Sequence, residues 1–355
     1  MTALAARAMG YDIAVLDPDP DCPARPLAST LITAAYDDVQ AATRLAEHAS
    51  VVTLEIERIA PAALAAAAAH APVRPGATVL AEINDRARQK AWLAAQGAPI
   101  GPFRTVTSAA ECHAAVAELG PCIVKAATGG YDGRGQVRVD RPDDAPAAWS
   151  TLRTTRAVAE QRLDLAQEVS VLVARRPSGE TAVYPVAQNH HTAGQLAWSI
   201  LPAPIPPALA DHATALGVRL ATALGVVGLL AVEMFVVADG RLLVNEMAPR
   251  PHNSFHHTIE GCVTSQFEQL VRAVCDLPLG ATDVVRPAAI ANILGDAWHG
   301  ASPPDFAAAL AVPQTHLHLY GKRDPRPARK MGHLAATDSD AESALARVLK
   351  ASSRL

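Results

Sequence analysis

The sequence lacks the features of a membrane, secreted or general nucleic-acid-binding protein. Only 19% of its 355 residues are charged and the net charge is −4, which argues against general binding to nucleic acid. The longest apolar run, GVVGLLAV from Gly225, is too short to cross a bilayer, and the amino terminus has no basic stretch followed by an apolar block. The five cysteines are odd in number and not closely paired, which favours reduced thiols over a disulfide framework or a zinc site. We therefore expect a cytoplasmic protein without a membrane or nucleic-acid partner.

Half of the residues are hydrophobic, so a large core is available, and the length favours two or three domains. Residues 11–80 alternate short apolar segments, such as SVVTLE at 50–55, with alanine-rich stretches, which predicts a parallel α/β unit. A predicted helix over residues 1–9, ended by Gly10, precedes a predicted buried strand over 11–16. This order is typical of the second half of a β-α-β unit, so we expect an earlier strand and a glycine-rich turn upstream.

Further elements follow along the chain. The pattern predicts a helix from Asn84 or Asp85 to Gln96, strands on both sides of residues 129–135, a helix over 211–224, a strand pair within 229–247, a helix over 265–275 and a terminal helix.

The segment LLAVEMFVVADGRLLVNEMAPR, from Leu229, predicts a hairpin. Asp239-Gly240 lies between two apolar runs and favours a two-residue turn. Counting outward from this turn gives the opposed pairs Ala238 and Arg241, Val237 and Leu242, Phe235 and Val244, and Glu233 and Glu246. Two opposed carboxylates repel each other and need a cation, and oxygen ligands with room for phosphates favour Mg²⁺ over zinc. The alternatives are a pair with a raised pKa and a solvated strand end.

Residues 129–135, GGYDGRG, place four glycines between two predicted strands. Such a loop leaves backbone amides free to approach an anion, and Arg134 and the upstream Lys125 add cationic donors. The sequence has no GxxxxGK[ST] motif, and a strand follows the glycines, which excludes a Walker loop and a dinucleotide fingerprint. Alone, this hairpin is often only a flexible turn; together with the carboxylate pair it indicates Mg-ATP.

The motifs KAATGGYDGRGQ, AEQRLDLAQEVSVLVAR, VNEMAPRPHNS and TIEGCVTSQFEQLVRAVCDLPLG occur in this order, with YPVAQNHH and HLHLYGKRDPRPARKMGHL. Together they resemble the 5-(carboxyamino)imidazole ribonucleotide synthase family over essentially the whole chain. The resemblance implies an ATP-grasp fold of mixed α/β and α+β class. Its parts would be a Rossmann-like pre-ATP-grasp domain at 1–84 without its first strand, a linker helix and lid at 85–163, a metal and nucleotide subdomain at 164–280 and a substrate-capping region at 281–355. In the family a strand and a glycine-rich turn on the ribonucleotide side precede the position of Met1, so we expect the start codon to be placed too late.

The family's enzymes are ATP-dependent C–N ligases of purine (IMP) biosynthesis. They join bicarbonate to the exocyclic amine of 5-aminoimidazole ribonucleotide through carboxyphosphate and release ADP and phosphate. The resemblance therefore implies ATP, Mg²⁺, these small-molecule substrates and a homodimer. The alternative functions are another ATP-grasp carboxylate–amine ligase and a truncated, non-catalytic ATP-binding remnant.

Matching motifs carry over four groups of site residues. The nucleotide-binding group is Arg86, Lys125, Gly130, Tyr131, Asp132, Gly133, Arg134, Gly135, Gln136, Glu160, Gln161, Glu168, His191, Asn245 and Glu246. The resemblance implies that Glu160 and Gln161 meet the adenine and Glu168 the ribose. The implied metal ligands are Glu233 and Glu246, the catalytic residues are Arg250, His252, Tyr131 and Arg134, and the substrate-binding residues are Glu55, Lys322 and Arg329.

The residues themselves leave three of these roles open. Arg250 and His252 directly follow the carboxylate pair and could stabilise a bicarbonate or carboxyphosphate anion, although a proline-stiffened turn with a solvated arginine is the alternative. The basic cluster at 322–330 alone indicates a solvated face or nucleic-acid binding, whereas the resemblance implies a grip on the 5′-phosphate. Glu55 ends the predicted strand over 50–55 and is either a ligand contact or an ordinary loop acid.

Two positions depart from the family pattern. Phe255 stands where the family usually has glycine, and His257 where it has tyrosine. We expect the two side chains to crowd or repolarise this loop without changing the reaction class.

Overall fold

A computed structural model describes residues 1–130, 134–298 and 302–355. The amino-terminal region is a small α/β unit. Its elements are α1 (Thr2–Ala8), β1 (Ala14–Asp17), β2 (Thr30–Thr33), α2 (Val39–Glu47), α3 (Pro61–Ala68) and α4 (Ala77–Ile83). Strands β1 and β2 are parallel, with Ala14 opposite Thr30, but β2 was not among the predicted strands.

The predicted strand over residues 50–55 is wrong. Only Val52 forms a bridge, to Val73, through hydrogen bonds with the carbonyl of Pro72 and the N–H of Arg74. In this parallel pairing the next donor on the amino-terminal side would be the N–H of residue 72, which is a proline, so the ladder cannot extend in that direction.

A second region consists of a helix followed by a small sheet. Its elements are α5 (Arg86–Ala95), β3 (Phe103–Val106), α6 (Ala109–Leu119), β4 (Cys122–Ala126), β5 (Gln136–Val139), α7 (Ala145–Leu152) and β6 (Ala157–Gln161). Asp85 caps α5 by accepting the N–H groups of Ala87 and Arg88, which confirms one of the two predicted caps. Within the described residues the strands form a four-stranded antiparallel sheet in the order β3-β6-β4-β5, which we call the small sheet.

The remaining elements build one large sheet and its covering helices. They are β7 (Leu165–Arg175), β8 (Thr181–Val183), β9 (Ala187–Thr192), β10 (Gln195–Leu201), α8 (Pro207–Leu224), β11 (Gly228–Val237), β12 (Leu242–Ala248), α9 (Thr258–Gly261), α10 (Gln266–Val274), β13 (Ala288–Leu294), α11 (Phe306–Leu310), β14 (Thr315–Leu319), β15 (Lys330–Thr337) and α12 (Ala341–Ser352). Within the described residues the large sheet runs β12-β11-β7-β9-β10-β13-β15-β14, and β8 also pairs with β7.

Alternation along the central strands gives the large sheet two apolar faces. Val171 and Val173 of β7 face the helix α8, whereas Leu172 and Ala174 face the side that α10 covers with Leu270. Because successive side chains of a strand point to opposite faces, one continuous apolar strand supplies both cores. No helix in the described part of the chain is long and apolar enough to span a membrane.

The hairpin of β11 and β12 has a longer turn than predicted. The N–H of Val237 donates to the carbonyl of Arg241 at 3.0 Å, and Gly240 has φ of +87°, so the loop has three residues. Such a loop, with its last residue in the left-handed region, also matches the twist of paired strands. The predicted pairs nearest the turn are therefore wrong by one position, and Phe235 opposes Leu243.

A β-bulge then restores the predicted register. Met234 opposes Val244 and Glu233 opposes Glu246, so Asn245 is an extra residue on β12. Bulges re-aim side chains, and this one lies beside the opposed carboxylates. The predicted pairing of Glu233 with Glu246 is confirmed although the route to it differs.

The two positions that depart from the family pattern lie in the protein interior. Phe255 and His257 are both fully buried, with their ring centres 5.7 Å apart, and Phe255 also approaches Tyr184. The His257 Nδ1 atom has no hydrogen-bond partner. The loop is filled rather than solvated, which agrees with the expected crowding.

We predict that His257 makes the stability of this protein depend on pH. Burial lowers the pKa of His257 to about 3, whereas an unfolded histidine titrates near 6.5, so below pH 6.5 only the unfolded chain takes up this proton. At pH 5.5 this residue alone should lower the free energy of unfolding by about 1.4 kcal/mol relative to pH 7.5.

Urea unfolding of wild type and His257→Phe at both pH values measures this difference. The variant should show a loss on acidification that is smaller by that amount. His212→Gln, an exposed histidine on α8, is the control and should behave as wild type. An unchanged pH dependence in His257→Phe would contradict the prediction.

Candidate active site

The opposed carboxylates of β11 and β12 each have a cationic or proton-donating partner. Arg86 Nη1 lies 2.6 Å from Glu246 Oε2, and His252 Nε2 lies 2.9 Å from Glu233 Oε1. Arg86 opens α5, and His252 follows the end of β12, so two separate segments converge on the pair. Arg86 and His252 compensate the repulsion between the two opposed carboxylates.

Both carboxylates are ionised at neutral pH. Burial opposes ionisation of Glu233, but the hydrogen bond from His252 outweighs burial, and the pKa of Glu233 is lowered to about 2. Burial and the charge of Glu233 raise the pKa of Glu246, whereas the charges of Arg86 and Lys125 lower it. The lowering effects are larger, so the pKa of Glu246 is below the usual range of a glutamate. The alternative of a pair with a raised pKa is thus not supported.

The donor set fits a magnesium ion that is shared with phosphates. In residues 1–130, 134–298 and 302–355 no group of three or more His, Cys, Asp or Glu side chains could hold a metal ion. The pair therefore supplies two carboxylates and little else. Mg²⁺ is commonly held in this way, by one or two carboxylates together with water and substrate phosphates.

A buried cluster of two lysines and a glutamate lies beside the pair. Glu160 Oε1 is 3.2 Å from Lys125 Nζ, and Glu160 Oε2 is 3.1 Å from Lys90 Nζ. Lys125 Nζ also donates to Asn245 Oδ1 at 3.4 Å, which links the small sheet to the bulge of β12. Burial lowers the pKa of Lys90, whereas the two lysines overcome the burial of Glu160 and lower its pKa.

Lys90 is not among the predicted site residues, although its spacing from Arg86 indicates that it lies near the site. Arg86 and Lys90 are four residues apart on one helix, so they lie on the same face. A lysine one turn after a nucleotide-binding arginine could have been assigned to the same pocket. Its partner Glu160 was predicted to meet adenine, but both carboxylate oxygens contact lysines here.

A cleft of about 230 Å³ opens next to this cluster. Its lining combines apolar side chains with a few charged and polar ones. The lining residues are Lys90, Gly101, Ile123, Lys125, Glu160, Gln161, Arg162, Leu163, Leu165, Phe235 and Val244. A largely apolar cleft with a few polar groups is typical of a small-molecule site. Gln161 lines the cleft, but its side-chain amide donates to the carbonyl of Leu119.

The described ends of the glycine-rich segment, Gly130 and Arg134–Gly135, lie close together near Arg86. A Cβ atom on Gly130 would lie 2.9 Å from the carbonyl of Arg134, and Gly135 has φ of +70° and packs against the Gly130 backbone. Side chains at these two positions would force the segment open. Arg86 Nη2 donates to the Gly130 carbonyl at 3.5 Å. Gln136 starts β5, whereas the predicted roles of Tyr131, Asp132 and Gly133 lie outside the described residues.

Glu168 and His191 form a pair on the neighbouring strands β7 and β9. His191 Nδ1 lies 2.6 Å from Glu168 Oε2. Burial lowers the pKa of His191, but the hydrogen bond to Glu168 and the charge of Glu233 raise it above its usual value. The predicted ribose and nucleotide contacts therefore lie next to each other and near the carboxylate pair.

Arg250 pairs with an acid that the sequence did not single out. Its Nε lies 3.1 Å from Glu57 Oε1, two residues beyond the predicted Glu55. Glu55 Oε1 instead accepts the backbone N–H of Thr2 at 3.3 Å. Glu57 thus connects the amino-terminal region to the loop after β12. The segment around Glu57 is irregular, so no sequence pattern predicts this contact.

The basic segment near the carboxyl terminus faces the amino-terminal region. Arg323 Nη1 lies 2.8 Å from Asp21 Oδ2, in the turn after β1. Lys322 Nζ donates to the carbonyl of Lys330 at 2.7 Å, and Arg329 Nη1 donates to the carbonyl of Asp324 at 2.9 Å. The cluster is therefore a folded turn with internal contacts and does not form a fully solvated face.

Family models match the three successive parts of this architecture. A ribonucleotide synthetase preATP-grasp domain matches residues 1–84, an ATP-grasp domain matches 91–267, and a phosphoribosylaminoimidazole carboxylase C-terminal domain matches 288–347. Two sheets that meet over a lysine-lined cleft and a carboxylate pair, together with these matches, define an ATP-grasp ligase with a pre-ATP-grasp domain. The predicted fold class is confirmed.

Individual relatives narrow this class. An N5-carboxyaminoimidazole ribonucleotide synthase of Bacillus subtilis is 39% identical over 94% of this chain and 87% of that protein. A Staphylococcus aureus N5-carboxyaminoimidazole synthetase complexed with ADP has a TM-score of 0.91 and 32% identity over 99% of this chain and 93% of that one. The Aspergillus clavatus enzyme in complex with ADP and 5-aminoimidazole ribonucleotide has a TM-score of 0.91 and 30% identity over 100% and 96%. This chain belongs to the N5-carboxyaminoimidazole ribonucleotide synthase family.

We predict that Lys90 stabilises the fold through Glu160. Lys90→Met leaves Glu160 buried with one cation fewer, and we expect the free energy of unfolding to fall by about 2 to 3 kcal/mol. Urea unfolding measures this loss. Adding Glu160→Gln to Lys90→Met should recover part of it, because the buried charge is then removed.

Lys350→Met, on the exposed side of α12, is the matched control and should change stability by less than about 0.5 kcal/mol. If Lys90→Met were as stable as this control, Lys90 would have no such role.

Proposed function

We propose that this chain carboxylates the exocyclic amine of 5-aminoimidazole ribonucleotide with bicarbonate, at the expense of ATP, in purine biosynthesis. The terminal phosphoryl group of ATP passes to bicarbonate to give carboxyphosphate and ADP. The amine then displaces phosphate from the carboxyl carbon and loses a proton, which yields 5-(carboxyamino)imidazole ribonucleotide. The observation that carries this proposal is the opposed Glu233 and Glu246, flanked by lysine and arginine on one side and by Arg250 and His252 on the other.

The nucleotide-binding roles follow from position. The cleft walls would hold adenine, and Glu168 and His191 would lie near the ribose. Arg86, Lys125 and the glycine-rich segment with Arg134 would hold the phosphates. Glu233 and Glu246, with Asn245 beside them, would hold Mg²⁺, which when bound neutralises phosphate charge.

Arg250 and His252 would act on bicarbonate and carboxyphosphate. Both follow β12 directly, and His252 donates from Nε2 toward the carboxylate pair. A guanidinium and a fixed N–H are donors suited to an oxyanion that develops during acyl transfer. Tyr131 and Arg134 on the glycine-rich segment would complete this pocket and exclude water from the labile intermediate.

The ribonucleotide would lie between the amino-terminal and carboxyl-terminal regions. The contact of Arg323 with Asp21 joins these two regions, and that of Arg250 with Glu57 joins the amino-terminal region to the loop after β12. Lys322 and Arg329 would bind the 5′-phosphate, and Glu55 would lie near the substrate.

A homodimer in the cytoplasm is the remaining part of the proposal. The family resemblance supports the dimer, and five free cysteines suit a reducing compartment. Sedimentation velocity should give twice the chain mass of 37.1 kDa, and a monomer at micromolar concentration would contradict the dimer.

ADP release tests the proposed reaction. It should require the ribonucleotide, bicarbonate and Mg²⁺ together, and omission of any one should reduce the rate at least about a hundredfold, because the phosphoryl acceptor, the amine or the charge neutralisation is then missing. A product that carries label from ¹³C-bicarbonate completes the assignment.

Two other outcomes favour the alternatives. ATP turnover that is indifferent to the ribonucleotide would indicate another carboxylate–amine ligase. Binding of Mg-ATP without turnover under any condition would indicate a non-catalytic remnant.

Arg329→Ala should raise the KM for the ribonucleotide about tenfold to a hundredfold with little change in the KM for ATP. The reason is the loss of one charge-assisted hydrogen bond to phosphate. Steady-state kinetics measures both constants. Arg326→Ala removes the same charge from an exposed position of the same turn and should change neither constant by more than about twofold. Equal effects of the two variants would contradict a specific role for Arg329.

A further inference from the structure

A row of polar side chains runs from His252 into the interior of the large sheet. Its members are Ser254, Ser170 on β7, Asn189 on β9 and Ser199 on β10. The three serines are completely buried and Asn189 is 4% exposed. None of the four belongs to the predicted site.

The hydrogen bonds in this row have a single direction. Asn189 Nδ2 donates to Ser170 Oγ at 3.0 Å, and Ser170 Oγ donates to Ser254 Oγ at 3.0 Å. Ser254 Oγ lies 2.7 Å from His252 Nδ1, and the backbone N–H of Ser254 also points to Nδ1, at 3.4 Å. Ser199 Oγ lies 2.9 Å from Asn189 Oδ1 and 3.0 Å from the backbone carbonyl of Ser254, and its one hydrogen is donated to one of these two acceptors.

The contact at the other ring nitrogen, Nε2, supports the same direction of hydrogen bonding. An ionised carboxylate can only accept, so the contact of His252 Nε2 with Glu233 requires a hydrogen on Nε2. In a neutral ring Nδ1 is then an acceptor, and Ser254 donates to it. The opposite tautomer would place a lone pair against Glu233, would set the Nδ1 hydrogen against the backbone N–H of Ser254, and would require the Ser254 hydroxyl to accept instead of donate.

We propose that Ser254, supported by Ser170 and Asn189, is a positioning residue that holds His252 as the tautomer with hydrogen on Nε2 and aims that N–H at the site of carboxyl transfer. The proposal rests on the proposed function of His252 and deepens it. Two fixed contacts on Nδ1 also prevent the ring from turning over, so a single donor faces the anion throughout the reaction. Hydrogen bonds that orient a histidine commonly determine which nitrogen is presented to a ligand.

The test compares three serine-to-alanine variants at equally buried positions. Ser254→Ala removes the direct donor and Ser170→Ala removes its supporter. Ser199→Ala removes a hydroxyl that contacts Asn189 and the backbone carbonyl of Ser254 and makes no hydrogen bond to the His252 ring or to the Ser254 hydroxyl. We expect kcat to fall about tenfold in Ser254→Ala, about threefold in Ser170→Ala and less than twofold in Ser199→Ala, with the KM for ATP unchanged in all three. A packing role would instead give three similar losses, since burial is the same.

A second readout does not depend on turnover. The ring nitrogens of His252 are observed by NMR in protein labelled with ¹⁵N-histidine, at one fixed pH, and are assigned by their loss in His252→Gln. Wild type and Ser199→Ala should show the tautomer with hydrogen on Nε2, and Ser254→Ala should show a mixture of both.

Ser254→Thr keeps the hydroxyl and should restore the single tautomer. If it does not fold, Ser170→Ala still tests the row by its intermediate effect. An unchanged tautomer in Ser254→Ala, or a kcat loss in Ser199→Ala equal to that in Ser254→Ala, would overturn the proposal. Wild-type protein that shows the expected tautomer but no ADP release would contradict the proposed function and leave the positioning intact.

Discussion

The repulsion between Glu233 and Glu246 is the constraint on which the site depends. Strand pairing places two carboxylates opposite each other at the end of an otherwise apolar hairpin, and a fold with such a pair is stable only if other segments supply compensating groups. Arg86 comes from a helix before the small sheet and His252 from the loop after β12. The same requirement therefore draws together elements that lie far apart in sequence and creates the space in which phosphates and a metal ion would replace part of that compensation.

Much of this arrangement could be predicted because it depends on short-range patterns. Asp239-Gly240 marked the hairpin, and opposed apolar runs placed Glu233 across from Glu246. The predicted pairing of Glu233 with Glu246 is correct because two unpredicted features offset each other. The turn is one residue longer than predicted, and the bulge at Asn245 shifts the register back by one residue. Neither a three-residue loop nor a bulge leaves a distinct mark in the residues, since both depend on how the strands twist against neighbouring strands.

Contacts between distant segments were the part that could not be predicted. Lys90 lies one turn from Arg86, yet its role appears only when Glu160 of another strand approaches it. The pattern predicts a regular strand that ends at Glu55 and gives no role to Glu57, whereas Pro72 in the partner segment interrupts that ladder. The hydrogen bonds of the buried serines could not be predicted for the same reason, because they depend on three strands that are adjacent only in the folded sheet.

The pairing of β10 with β13 has a consequence for how an enzyme of this shape can move. Trp198 to Leu201 are joined to Ala288 to Ala291 by an antiparallel ladder, so the half that carries the carboxylates and the carboxyl-terminal region share one uninterrupted sheet. A hinge between them would have to break that ladder. The small sheet belongs to a different set of strands, and its ties to the carboxylate half include side-chain contacts such as Lys125 with Asn245. A movement of the small sheet relative to the large sheet would break no β-ladder, whereas a hinge between the carboxylate pair and the carboxyl-terminal strands would.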